Sequence, residues 1–171
     1  DQFLIKPLIP LHLGGYDISF TNSSLFMVLT TVLIILFQWA GVKNSQLIPS
    51  RIQSFYEISY EFIQTMVKDN LGDEGKRYFP FIFSLFLFIL FGNLWGMVPY
   101  SFTFTSHIIV TGTLAFIVFG LITTVGLVKH GFKFFRLFFP KGVPLAIAPI
   151  LIPVEIIAYL FRPITLAIRL F

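Results

Sequence analysis

Residues 78–99 read YFPFIFSLFLFILFGNLWGMVP, a run with six Phe and no Asp, Glu, Lys, Arg or His. At 1.5 Å per residue a helix of this length reaches about 33 Å, enough to cross a hydrocarbon layer about 30 Å thick. Water would not solvate such a helix on any side, whereas lipid would, provided every backbone group is bonded within the segment. Working outward, SLFMVLTTVLIILFQWAGV at 24–42 has the same character, with Trp39 near its far end where an aromatic belt would place it. Two further apolar stretches cover about 108–128 and 144–171, so the spans are placed at approximately 24–42, 79–99, 108–128 and 144–171. Composition agrees: 56% of the 171 residues are hydrophobic and 12% charged, against about 25% charged in soluble domains. The fold class predicted is an all-α integral membrane protein, one membrane domain over 1–171, built of helical hairpins and long tilted helices.

Residues 49–71 differ in kind. Ile52, Phe55, Tyr56, Ile58, Phe62, Ile63, Met66 and Val67 recur at helical spacing, with Arg51, Gln53, Glu57, Glu61, Gln64 and Lys68 on the other flank. This pattern predicts an amphipathic helix at the membrane surface or against partner helices. Gly72 to Arg77 reads as a polar turn, YSFTFTSH at 100–107 as a Ser/Thr-rich connector, and 1–22 as an irregular or interfacial lead-in rich in Pro and Gly. In the last stretch the early prolines fall in the first turns, and Pro163 is a candidate kink.

Basic residues set the orientation. Lys43, Arg51, Lys68, Lys76 and Arg77 lie between the first and second spans, and Lys129, Lys133, Arg136 and Lys141 between the third and last; none lies between the second and third. Positive-inside logic places 43–77 and 129–142 in the cytoplasm or its mitochondrial equivalent, and the chain start and 100–107 opposite. The net charge of +4 therefore points to topology and not to nucleic acid. The absence of cysteine excludes disulfides, thiolate metal sites and cysteine nucleophiles. His12, His107 and His130 lie in connectors or at span ends, which disfavours a haem anchor with facing axial histidines. No Gly-rich phosphate loop is present, and no cofactor or metal is expected.

The last stretch holds Glu155, Arg162 and Arg169 among apolar residues. On an ideal helix Glu155 and Arg169 are about 21 Å and about 40° apart, with Arg162 between them on nearly the same face. Ionisable groups inside a span cost on the order of 2.5–3.5 kcal/mol and usually face a partner or a water-filled cavity. Bland readings stand beside this one: Arg162 as a snorkelling cation, Glu155 as a shallow solvated group, Arg169 as a terminal cation at the far headgroups, and Glu155 paired with Arg162.

NLWGMVPYSFTFTSH at 93–107, Lys129-His130-Gly131 with FFPKGVP at 138–144, and PVEIIAYLFRPITLAIRLF at 153–171 together resemble subunit a of the F-type ATP synthase. The lead-in is similar to the mitochondrial and α-proteobacterial branch, and the resemblance covers essentially the whole chain. It implies a non-catalytic stator that conducts protons beside a rotor ring of small c-type hairpin subunits, with peripheral-stalk b-type subunits and the lipid bilayer as further partners. Nucleotide chemistry would then belong to other subunits, and the location would be a bacterial inner membrane or the mitochondrial inner membrane. Arg169 matches the family's essential arginine in Leu-x-x-Arg-Leu-Phe, and Glu155 its acidic position lining the cytoplasmic half-channel. Arg162 matches a variable position, and Asn93 and His107 are weaker channel candidates. The family continues beyond Arg-Leu-Phe with a further helix that folds back, which is missing from this chain. The competing classes are a fragment of a secondary transporter, which requires inverted repeats and broken midplane helices, and a structural anchor of a respiratory complex.

Overall fold

The computed structural model describes residues 4–43, 47–139 and 141–171; Pro140 of the FFPKGVP motif lies outside them. The described residues form five long helices: α1 Asn22–Lys43, α2 Arg51–Leu71, α3 Phe79–Gly96, α4 Ile108–His130 and α5 Ala148–Leu170. Four of them, α1, α3, α4 (with the tight turns that follow it to Phe138) and α5, are long and apolar enough to cross a membrane. The chain divides into two compact units, one ending at Phe104 and the other running from Thr105 to Phe171.

The first unit opens with a difference from expectation. The lead-in is ordered by short antiparallel pairings: β1 Pro7–Ile9 with β4 Phe20–Thr21, and β2 His12–Leu13 with β3 Tyr16–Asp17. Gly14 and Gly15 take positive φ at the tip, where side-chain-bearing residues would be strained. His12 pairs with Asp17 across the strands. Asn22 fastens the ribbon to α1: its amide nitrogen donates to the Leu4 carbonyl at 3.2 Å and its amide oxygen accepts from the Lys6 backbone N–H at 3.1 Å.

Helix α2 is capped at Ser50, whose hydroxyl accepts from the Gln53 N–H at 3.4 Å, and ends at Gly72 with φ 66°. It packs against α1 and α3 around Ile34, Ile63, Val67, Phe83 and Leu87. Tyr56, Tyr60, Phe79 and Phe83 meet mostly edge-to-face, with centroids 4.7–5.9 Å apart. Burial, with the neighbouring Tyr60 adding to it, holds the Tyr56 hydroxyl above its ordinary pKa. A second apolar stripe, Ile52, Phe55, Ile58, Phe62 and Met66, stays exposed. α2 thus carries two apolar faces, one packed on its neighbours in the chain and one exposed.

The 100–107 connector is not a solvated loop. Phe102 and Phe104 are buried, and Phe104 lies 5.1 Å from Phe88, centroid to centroid. A Cβ at Gly92 would stand 2.5 Å from the Phe104 ring, so glycine is what admits the ring against α3.

In the second unit α4 and α5 form an antiparallel-type helix pair joined through tight 3-10 turns over Gly131–Phe138. The last helix begins at Ala148 and not at Pro144, because residues 144–147 close a turn in which the Ile147 N–H donates to the Pro144 carbonyl at 2.9 Å. Pro149 then occupies the first turn, where its missing N–H costs nothing, and α5 is assigned as one helix through Pro153 and Pro163. Span hydroxyls are satisfied locally: Thr30, Thr31, Thr113, Thr124 and Thr165 each donate to the carbonyl four residues back at 2.7–2.9 Å, which lets them sit in an apolar medium.

Candidate functional site

The charged residues of the last helix are displayed by the way α5 meets α4. Ala148, Tyr159, Pro163 and Ala167 are the buried residues of α5, and Thr111 and Ala115 those of α4. Small residues at such a seam let two backbones approach closely, the main source of helix association where lipid competes for every apolar contact. Tyr159 is the one large side chain in the α5 set. Its ring packs on Phe119, Phe138 and Phe134 at 5.0, 5.5 and 6.1 Å, and its hydroxyl lies 2.7 Å from that of Thr123 on α4.

Beside this seam opens a cleft of about 370 Å³. Its α4 wall is apolar, from Ala115, Val118, Phe119 and Ile122, and its α5 wall brings Arg162, Thr165 and Arg169. Both arginines are exposed, and among the described residues neither forms an ion pair. The Arg162 guanidinium lies 5.4 Å from the Tyr159 ring centroid, a cation–π arrangement. Arg169 lies in the last turn of α5, where a cation also complements the helix dipole.

Glu155 is half-buried and is not among the residues lining this cleft. It lies one turn before Tyr159, between Ile152 and Ile156, which line a separate apolar cleft of about 430 Å³ with Phe135, Phe138 and Phe139. The offset of about 40° and about 21 Å from Arg169 is sufficient to part them. Among the described residues Glu155 forms no ion pair with Arg162. His107 stands at the N-cap of α4, its carbonyl accepting from Val110 and Thr111 at 3.0 and 3.2 Å. Asn93 belongs to α3 in the first unit, exposed near the helix end. Within the second unit Arg162 and Arg169 share a cleft wall that neither Glu155 nor His107 lines. Tyr159 and Thr123 were missed by reading the sequence; the one available signal was a phenol within an otherwise aliphatic stretch, which demands a hydrogen-bond partner when buried.

These features define a class: an integral membrane protein that presents guanidinium groups, without an ion pair among the described residues, on the wall of a largely apolar cleft. Comparison with known proteins makes the assignment specific. Residues 24–171 match the family described as ATP synthase A chain. Over 171 residues the chain is 53% identical to the ATP synthase subunit a of Rhodospirillum rubrum, covering all of this chain and 71% of that protein. It is 55% identical to the ATP synthase subunit a of Paramagnetospirillum magneticum, over all of this chain and 70% of that one. The corresponding protein of Parvibaculum lavamentivorans is 52% identical over 99% of this chain and 65% of its own length. The chain belongs to the ATP synthase A chain family, a membrane subunit of that complex, and neither a transporter fragment nor a respiratory-complex anchor is favoured.

Proposed function

We propose that the chain is the non-catalytic, proton-conducting stator of the membrane sector, with Arg169 as the fixed cation that separates two half-channels. The observation that carries the reading is Arg169 itself: exposed on the wall of an apolar cleft, with no ion-pair partner among the described residues. A guanidinium stays protonated at any working pH, and within a membrane it calls for an anionic partner or water. A carboxylate carried past on a rotor ring supplies that partner. Opposite Arg169 such a group is held ionised, so a proton cannot run straight across and must ride the rotor between an entry path and an exit path. The driving term is about 2.3 kcal/mol per charge per 100 mV.

Glu155 is assigned to the cytoplasmic half-channel as a carboxylate that attracts or relays protons without being the barrier. It lies nearer than Arg169 to the basic 129–141 segment, and its half-buried setting suits a group that exchanges protons with water. Asn93 and His107 stay secondary candidates. The partners are the c-type rotor ring, b-type stalk subunits and lipid, and the location is a bacterial inner membrane with the chain start on the periplasmic side. The test is Arg169→Gln in assembled complex: proton-driven ATP synthesis should disappear, and near-normal synthesis would remove Arg169 from the mechanism.

A further inference from the structure

We propose, on the strength of the stator role above, that Tyr159 is a positioning residue: its hydroxyl bond to Thr123 fixes the rotation of α5 about its own axis and so aims Arg169 and Glu155. Three observations converge on it. Tyr159 is 8% exposed, although α5 leaves most of its other large apolar side chains open. It touches α4 and the turns after it through Phe119, Phe134 and Phe138, and Arg162 lies over its ring. Its hydroxyl also makes a polar bond between α4 and α5.

The direction of that bond follows from counting protons. Thr123 lies 2.8 Å from the Phe119 carbonyl and donates its one hydroxyl proton there. Tyr159 must then be the donor to the Thr123 oxygen. The chain of bonds ends at a backbone carbonyl, which cannot pass a proton on, so Tyr159 serves as a tie and not as a relay. The small residues of the seam, Pro163 and Ala167, allow close approach and favour this face of α5, but they supply no directional contact against rotation. A directional hydrogen bond within an aromatic cage does resist it. Because α5 is one helix, a turn about its axis at Tyr159 swings Glu155, four residues before, and Arg169, ten residues after.

The experiment uses the whole complex, reconstituted, with proton flux normalised to assembled complex. The cysteine-free chain also accepts nitroxide labels at Phe116 on α4 and Ile164 on α5, both exposed. Tyr159→Phe and Thr123→Val each remove one end of the bond at nearly constant volume. Each should lower normalised flux roughly threefold, the scale of an average interhelical hydrogen bond in a bilayer, and should broaden the label-to-label distance distribution. The double variant should be no worse than either single one, and Thr123→Ser, which keeps the hydroxyl, should restore both readouts. A purely structural tyrosine would change the amount of assembled complex and leave normalised flux alone. Wild-type normalised flux in Tyr159→Phe, or losses that multiply in the double variant, would overturn the positioning role. Neither result touches the stator reading, which Arg169→Gln tests separately.

Discussion

Arg162 and Arg169 share one cleft wall, and the stator mechanism requires them to differ sharply. Take a rotor carboxylate about 4 Å from the Arg169 guanidinium at an effective dielectric constant of about 20; the cation then favours the ionised form by about 4 kcal/mol. At 1.36 kcal/mol per unit this lowers the carboxyl pKa by roughly 3. Arg162 precedes Arg169 by seven residues, about 10.5 Å along the helix. Its influence on the same carboxylate falls to about 1.5 kcal/mol, roughly one pKa unit. Arg169→Gln should therefore cut ATP synthesis driven by an imposed proton gradient by roughly a hundredfold or more, and raise passive proton permeability. Arg162→Gln should stay within roughly tenfold of wild type with no leak. The assay is synthesis and leak in vesicles holding purified complex, each scaled to the amount of subunit assembled. Equal losses in the two variants would refute the reasoning, since the two charges would then act through general electrostatics and not through a single contact. Synthesis within threefold of wild type in assembled Arg169→Gln would refute it from the other side.

At Glu155, flux should fall in a graded series, least for Glu155→Asp, more for Glu155→Gln and most for Glu155→Leu, which also dries the path; passive leak in any of the three would contradict its assignment away from the barrier. If Glu155 instead served as the partner of Arg162, the pair Glu155→Gln with Arg162→Gln would recover what either single change loses, measured as flux in reconstituted complex. For topology, a membrane-impermeant thiol reagent on intact cells should label Tyr100→Cys, at 94% exposure the open position of its connector, and spare Lys133→Cys; the reverse pattern would invert the sides of the channel. Gly92→Ala sets a methyl against the Phe104 ring and should cost roughly 1–3 kcal/mol as overpacking, read as lost assembled subunit, with Phe104→Leu restoring it. Undiminished assembly in Gly92→Ala would mean the connector does not need its seat on α3.

The four long apolar helices were legible because lipid imposes one demand, an unbroken apolar length, and 78–99 meets it in plain view. Which side of each span is buried was not legible, for a physical reason. In water, burial separates Leu from Lys; in lipid both faces are apolar, so hydropathy loses its contrast. α2 shows the consequence. Its apolar residues read as one face, yet Ile63 and Val67 are buried while Ile58, Phe62 and Met66 are exposed. Phe102 and Phe104 were hidden differently, since their alternation with Ser and Thr resembles a polar connector until a glycine on the neighbouring helix supplies the seat. At the candidate site, the cost of ionisable residues in a span drew notice to Glu155, Arg162 and Arg169, and only the family resemblance separated their roles. Their separation into a cleft wall for the arginines and a half-buried position for Glu155 depends on the rotation of α5, which Tyr159 and Thr123 set from different helices.

That dependence bears on how the chain can be stable and functional at once. Fewer than a quarter of the residues in the most apolar window of each span are buried within the chain, so most side-chain contacts must come from lipid or from other subunits. Packing between lipid-facing helices gains nothing from expelling water, and small residues, aromatic cages and single hydrogen bonds supply the specificity. The first unit uses an aromatic cluster on Tyr56, Tyr60, Phe79 and Phe83, and the second uses Tyr159 with Phe119, Phe134 and Phe138. Neither cluster contains Glu155 or Arg169. Structural specificity is thereby carried mainly by uncharged residues, with Arg162 over the Tyr159 ring, and under the proposed stator role Glu155 and Arg169 stay available to a moving partner. A stator needs that division, because a cation held by an ion pair within its own chain could not engage and release a carboxylate as the rotor turns.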